Sequence, residues 1–389
     1  MPGRQCRGSI AKNHTMNTAK KRLKNKDIIK ENDENEQIES ALLPGLPNHL
    51  AHLCLSSLQP SLLYNVNTSW RKFIYSPYYP PFFSLYALLY KTSSISPSVG
   101  FFCFDTISSK WKPLPSPPSN PPLCLIRHHP SYISRVIPIQ SVTTSGHLVL
   151  VAGTTNKFLP ALTRPLVFDP LSSKWYFGPP LLNPRRWCVT GSINGAIYVA
   201  SGVGTKYQCD VAKSLERWDI SKHESSWNWE KRASFRDGRF SREAVEAVGY
   251  RGKLCMVNIK GKTLKEGAVY NVVMDQWEEM PRGMLAGWNG PATVDDDDDV
   301  MYVVDQENGS MRKYNADNDR WEEMIEASEY LKGAEHISAG RGRVCAVSGD
   351  GRTIVVVDIL SRPVKTWRVN PPQGMEAIAV HILPRMVTV

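Results

Sequence analysis

The phrase FFCFDTISSKW (101–111) returns at 165–175 as PLVFDPLSSKW, and four further segments carry the same sense. They are LERWDISKHESSWNW (215–229), AVYNVVMDQW (268–277), MRKYNADNDRW (311–321) and, more loosely, VVVDILSRPVKTW (355–367). Each runs through apolar residues and a polar turn to a tryptophan. The anchors Trp111, Trp175, Trp229, Trp277, Trp321 and Trp367 are separated by 64, 54, 48, 44 and 46 residues. A period of this size means a stacked or radial array, in which each unit buries its apolar face only against its neighbours.

Within a unit the phrase reads as strand, turn, strand. DPLSSK supplies the turn, because Asp accepts local backbone hydrogen bonds and Pro presets φ. A second hairpin precedes the phrase. TGSINGAIYVASG (190–202) turns at Asn194–Gly195, a strong hairpin signal. AVGYRGKLCMV (247–257), ISAGRGRVCAV (337–347) and IQSVTTSGHLVLVAG (139–153) follow the same plan, and PATVDDDDDVMYVV (291–304) turns on an aspartate run. Two hairpins make four strands, the content of a propeller blade. Blades splay apart away from the axis, so the outermost strand needs a large apolar residue whose N–H can find a partner at the rim, and Trp fits. Gly153, Ala200, Gly202 and Gly349 stand near the inner hairpins, where backbones crowd. The six phrases come with five inner hairpins, and one extra strand, GMEAIAVHIL (374–383), is left over. It is expected to join the sheet of SLYALLY (84–90) and FFCFD, so that the first and last segments share a blade and remove an exposed edge. The fold class is therefore mainly β, a six-bladed propeller over 81–389.

Charge is uneven. The first thirty residues hold nine Lys/Arg against one Asp, and the next ten hold five acids. Residues 1–40 are expected to be a disordered charged tail. KKRLKNK (20–26) reads as a solvated basic arm or as a nuclear-import signal, giving nuclear or cytoplasmic residence. The remainder carries only a mild positive excess, which argues against a nucleic-acid footprint. No apolar stretch leads the chain, and the longest apolar run, PFFSLYALLY (81–90), is too short to span a bilayer. Eight scattered cysteines form no C-x-x-C pair, which suits a reduced intracellular chain.

The segment LLPGLPNHLAHLCLSSLQPSLLYNVNTSWRKFI (42–74) has a different period. Leu46, Leu50, Leu53 and Leu58 fall roughly on one helical face, Pro47 and Pro60 suit helix entries, and Leu62, Leu63 and Val66 repeat an apolar face. Some 33 residues bury little core alone, so the helices need a partner or must pack on the propeller. Here the sequence resembles the F-box motif, through Leu43, Pro44, Leu46, Pro47, Leu50, Leu53, Leu58, Pro60, Leu62, Leu63, Val66, Trp70 and Arg71. Asn67-Thr68 stands where the motif more often has Cys-Arg. The ring resembles kelch repeats. The double glycine of that repeat is degenerate: Ala152-Gly153 and Ser201-Gly202 occupy two of its places, and Val257-Asn258 has none. Together these features resemble plant F-box/kelch-repeat proteins over 42–389, with 41–80 as the F-box.

The resemblance implies a substrate-recognition adaptor of a Skp–cullin–F-box (SCF) ubiquitin ligase. The leucine face would bind the Skp adaptor and through it the cullin and RING subunits, while the propeller would hold a target protein. A kelch interaction scaffold with no link to ubiquitination is the alternative. No phosphate-loop, G-x-S-x-G or H-E-x-x-H motif is present, so no catalytic residue, cofactor, metal, nucleic-acid or membrane partner is expected. His128–His129 reads as a polar loop and DDDDD (295–299) as a solvated hairpin tip. A target would bind the long connections that enter each inner strand: 114–135, 183–187, 234–243 and 281–290. Arg185, Arg186, Arg236, Arg239, Arg282 and Trp288 are the anchor types there. They suit an acidic or phosphorylated segment, unless each arginine merely pairs with a strand-end acid.

Overall fold

A computed structural model describes residues 41–91, 99–118, 123, 139–206, 209–236, 240, 245–258, 265–295 and 297–386. The chain divides into two compact units between Pro80 and Pro81.

In the first unit, helix α1 spans Asn48–Ser56, α2 Pro60–Tyr64 and α3 Thr68–Ile74. Pro60 opens α2, where a missing N–H costs nothing. Pro47 precedes α1, and its carbonyl accepts from Leu50 and Ala51. Asn67 explains its departure from the expected motif, since its side chain accepts from the Trp70 N–H at 2.8 Å and caps α3. Ala51, Leu55, Leu63, Phe73, Ile74 and Tyr79 form the buried interior. Two long-range bonds close it: Trp70 donates its indole N–H to the Leu42 carbonyl, and the Tyr79 hydroxyl donates to that of Leu58. Leu46 and Leu58 fall outside α1, so the face expected to be one helix is shared by a helix and its flanks.

The second unit is six antiparallel sheets of four strands. Blade two comprises β4 (Gln140–Thr144), β5 (His147–Ala152), β6 (Leu166–Asp169) and β7 (Lys174–Phe177). Blade three has β8 (Val189–Ile193), β9 (Ala196–Ala200), β10 (Leu215–Asp219) and β11 (Trp229–Arg232). Blade four has β12 (Val245–Tyr250), β13 (Lys253–Asn258), β14 (Glu266–Asn271) and β15 (Gln276–Glu279). Blade five has β16 (Ala292–Asp295), β17 (Val300–Val304), β18 (Met311–Asn315) and β19 (Arg320–Ile325). Blade six has β20 (His336–Gly340), β21 (Arg343–Val347), β22 (Ile354–Asp358) and β23 (Lys365–Val369). Blade one is composite. Its strands β1 (Phe83–Lys91), β2 (Val99–Asp105) and β3 (Lys110–Pro113) receive their innermost partner, β24 (Met375–Pro384), from the far end of the chain. The register runs from Phe83 opposite Pro384 to Lys91 opposite Met375. The leftover strand closes the ring, as its sequence led one to expect.

Six apolar clusters hold the blades together, one at each interface between neighbours. One, for example, joins Leu85, Ala87 and Leu89 of blade one to Val347, Ile354 and Val356 of blade six. Both faces of every sheet are thus buried, which is why runs such as AIYVA are apolar throughout. The rim tryptophans recur in register. In five blades the Trp stands opposite an aromatic residue of the third strand: Phe104, Phe168, Trp218, Tyr270 or Tyr314. In the same five the indole donates to a backbone carbonyl before its own blade: Asn370, Pro115, Pro179, Ala233 or Met284. Trp367 is the exception. It faces Val356, and Arg343 lies over its ring.

Near the axis backbones do crowd. A Cβ on Gly249 would come within 1.9 Å of the Ser192 carbonyl oxygen of the neighbouring inner strand. At Ser201-Gly202 both residues take left-handed backbone, φ 60° and 91°, which shows why the kelch repeat places two glycines there. The aspartate tip is the solvated turn its sequence suggests, with Asp297, Asp298 and Asp299 exposed, and it makes exposed ion pairs as well. Asp299 pairs with Arg251 and Asp297 with Arg341, so the tip of blade five ties the turns of blades four and six. Asp295 is buried and accepts from the Gly342 N–H, and burial holds its carboxyl above the usual range.

Candidate functional site

Two surfaces and a channel have the makings of a functional site. In the helical unit, Leu50, Leu53, Leu58, Leu62 and Val66 are exposed, Leu53 to 71 % and Leu62 to 61 %. Leu50, Leu53 and Cys54 share one side of α1 by their three- and four-residue spacing. Leu43, Leu46 and Pro60 are half-buried, while Pro44 and Pro47 are exposed. Leu63 differs from the rest of the expected contact set, because it is fully buried and belongs to the interior. Trp70 is half-buried and spends its indole N–H on the unit itself. The helices therefore close a small core on one side and leave a row of leucines on the other. Exposed leucine faces of this kind dock against a complementary apolar groove.

On the propeller, the connections expected to meet a target separate into two kinds. Arg185 is 0 % exposed. It pairs with buried Glu216 and donates to the Ser201 carbonyl and the Ser214 hydroxyl. Arg186 is buried too, donating to the Gly204 carbonyl and lying 4.4 Å over the Trp187 ring. Trp288 is wholly buried between blades four and five, its indole N–H donating to the Gly290 carbonyl. These three are structural: they lock the connections, and no side chain surface is left for a partner at Arg185 or Trp288. Arg236 and Arg282 are exposed, Arg282 opening the short helix Arg282–Gly287. Arg239, His128 and His129 lie outside the described residues.

The inner strands line a channel of about 140 Å³, edged by Gln140, Ser141, Thr190, Glu246, Glu335 and His336 among others. His381 is buried in its wall, with Nε2 2.9 Å from the Ser141 hydroxyl. Burial and the neighbouring His336 push its imidazole well below the ordinary value, so it is neutral. Among the described residues no group of three or more His, Cys, Asp or Glu is arranged to hold a metal ion. The buried thiols of Cys103, Cys188, Cys255 and Cys345 are pushed up to about 12 by burial, which makes them poor nucleophiles at neutral pH. No helix of the described residues is long and apolar enough to cross a membrane.

The chain was compared with known proteins. No family model matches it. It is 49% identical over 359 residues to the F-box/kelch-repeat protein SKIP25 of Arabidopsis thaliana, covering 89% of this chain and 90% of that protein. The F-box protein AFR of the same plant is 24% identical over 277 residues, 67% of this chain and 68% of AFR. A further F-box/kelch-repeat protein from Arabidopsis thaliana is 34% identical over 85 residues, 22% of this chain and 23% of that one. With the leucine face, the six blades and a relative matched over nine-tenths of both chains, the chain belongs to the plant F-box/kelch-repeat proteins.

Proposed function

We propose that the chain is the substrate-recognition subunit of an SCF-type ubiquitin ligase. The helical unit binds the Skp adaptor, which links it to cullin and RING subunits, and the propeller binds the protein to be modified. The observation that carries this reading is the exposed row Leu50, Leu53, Leu58, Leu62 and Val66 on a unit whose interior is already closed by other residues. A face so apolar is costly in water and is satisfied by a partner. Ubiquitin transfer then needs no chemistry from this chain. Holding a target lysine near the charged carrier raises its effective concentration, which is the adaptor's contribution. Arg236 and Arg282 are the exposed cations proposed to meet an acidic target segment.

The test is capture by purified Skp. Burying a leucine contributes about 1.5–3 kcal/mol. Leu50→Lys with Leu53→Lys is therefore expected to weaken capture by at least ~100-fold, with the melting midpoint of the propeller unchanged. Undiminished capture would overturn the assignment of this face and favour a kelch scaffold that does not serve ubiquitination.

A further inference from the structure

Twelve described residues other than glycine hold left-handed backbone. Nine of them sit in the short turns within blades, all at one end of the strands, where such a residue is routine. The other three, Phe158, Trp187 and Ser201, lie at the opposite end, in connections of blades two and three. Ser201 holds a glycine place of the repeat. Phe158 (φ 58°) and Trp187 (φ 54°) have no such explanation, because a bulky aromatic residue in this region is strained by about 1–3 kcal/mol.

The strain is held by a rigid frame. Thr155 donates its N–H to the Leu159 carbonyl and accepts from the Phe158 N–H at its own carbonyl and from the Leu159 N–H at its hydroxyl. Trp187 is held beneath the Arg186 guanidinium, while the Arg186 backbone pairs in both directions with Val203. The connections are stitched to one another. Leu181 donates its N–H to the Thr163 carbonyl, and Arg164 donates its side chain to that of Gly178. The buried Arg185–Glu216 pair ties two of these connections together, Arg185 donating to the Asn183 and Ser201 carbonyls.

What this frame presents is apolar. Phe158 is 39 % exposed, Leu159 40 %, and Leu182 of the adjoining connection is exposed as well. Around them the charge is one-sided. The connections 153–165, 178–188 and 201–214 hold Lys157, Arg164, Lys206 and Lys213 against a single acid, Asp210, once Arg185 and Arg186 are set aside as buried. Strain held in a hydrogen-bonded frame, with apolar tips and surplus cations, marks a preorganised contact surface.

We infer that this end of blades two and three, centred on Phe158, Leu159 and Leu182, docks an extended acidic peptide segment of the target protein that carries bulky apolar side chains. The inference deepens the adaptor reading and rests on it. The apolar side chains of the segment cover Phe158, Leu159 and Leu182, and its carboxylates meet Lys157 and Lys206. It also moves the expected recognition site from Arg185 and Arg186 themselves to the surface that they brace.

The probe is a set of fluorescein-labelled nonapeptides with Leu, Ile or Phe at two central positions flanked by Asp and Glu, read by anisotropy against the full chain. One comparison set replaces the acids with Lys, a second replaces the apolar pair with Ser, and a third is single-stranded DNA of equal charge. The acidic–apolar set is expected to bind at least tenfold tighter than all three. Phe158→Ser with Leu159→Ser should lower that binding at least tenfold, and Lys157→Glu with Lys206→Glu should lower it and flatten its dependence on salt. Should the first pair lower the melting midpoint, Leu182→Lys alone carries the same test. Equal binding of the sets, preference for the DNA, or variants that bind as the parent does would each overturn the proposal. Skp capture measured on the same samples separates the two readings. Peptide loss with capture intact supports the surface, whereas a parent chain that binds peptides but not Skp retains the surface and removes the ligase.

Discussion

Asp319 shows how much of this ring rests on single polar side chains at turn ends. It is the final residue of the last turn of blade five, yet its carboxylate reaches back to the connection entering that blade, accepting from the Gly283 N–H at 2.7 Å and the Met284 N–H at 2.9 Å. The Tyr314 hydroxyl donates to it at 2.6 Å. Partial burial alone would raise its pKa, but these donors outweigh it and hold the carboxyl below the ordinary value. Asp275 repeats the device one blade earlier with Tyr270 and the Ala233 N–H. Losing the three bonds is expected to cost about 2 kcal/mol in Asp319→Ala at pH 7. A group whose folded pKa is depressed stabilises the fold above its unfolded value, near 3.9, and loses that contribution as pH falls through the folded value. The gap between parent and variant in urea midpoint should therefore be full at pH 7 and close below about pH 4. A gap that is the same at both pH values would mean that the charge plays no part. None of this reach was legible in NADNDRW, because the partners lie 35 residues upstream and no local pattern announces them. The same limit applies to Arg185. As part of a polar NPRRW loop it reads either as an exposed anchor or as the partner of a strand-end acid; the second holds, and only folding brings Glu216, thirty-one residues later, against it.

At the scale of elements, the helices are the most instructive case. Their existence was plain from the leucine spacing and the two prolines, and so was their apolar character. Which leucine faces inward was not, since Leu62 and Leu63 are neighbours in one five-residue helix and only one can be buried. The fold chooses Leu63, because it meets the interior that Phe73 and Ile74 complete. Leu63→Lys is accordingly expected to unfold the helical unit, read as loss of protease protection across 41–80. Leu62→Lys, on the exposed side, should leave protection intact. If both variants were equally protected, the division between inner and outer leucines would be wrong. The strands were more legible than the helices because their signal repeats. Six copies of one turn-and-tryptophan phrase correct one another, and the copy that departs most, around Trp367, is also the one whose indole lies in a different setting.

For the whole molecule, closure decides stability. Each apolar cluster is shared by two blades, so an opened ring leaves the clusters flanking the gap half covered. Removal of residues 374–389 deletes the innermost strand of blade one and bares the inner edge of β1, from Phe83 to Lys91. The truncated chain is expected to lose its single cooperative melting transition and to bind hydrophobic dyes. Retention of a sharp transition at the parent's temperature would show that the ring does not depend on its last strand. This whole-molecule feature was legible from arithmetic alone, with six outer phrases, five inner hairpins and one strand to spare.

Because β1 and β24 are partners, the ring also has a timetable. Nearly three hundred residues separate them, and at about 5–20 residues per second the ribosome needs roughly 15–60 s to deliver the second after the first. Throughout that interval β1 waits with an unpaired edge, a template for any strand that passes. Cellular yield should then depend on how well a nascent half-ring is sheltered, more than on how stable the finished wheel is.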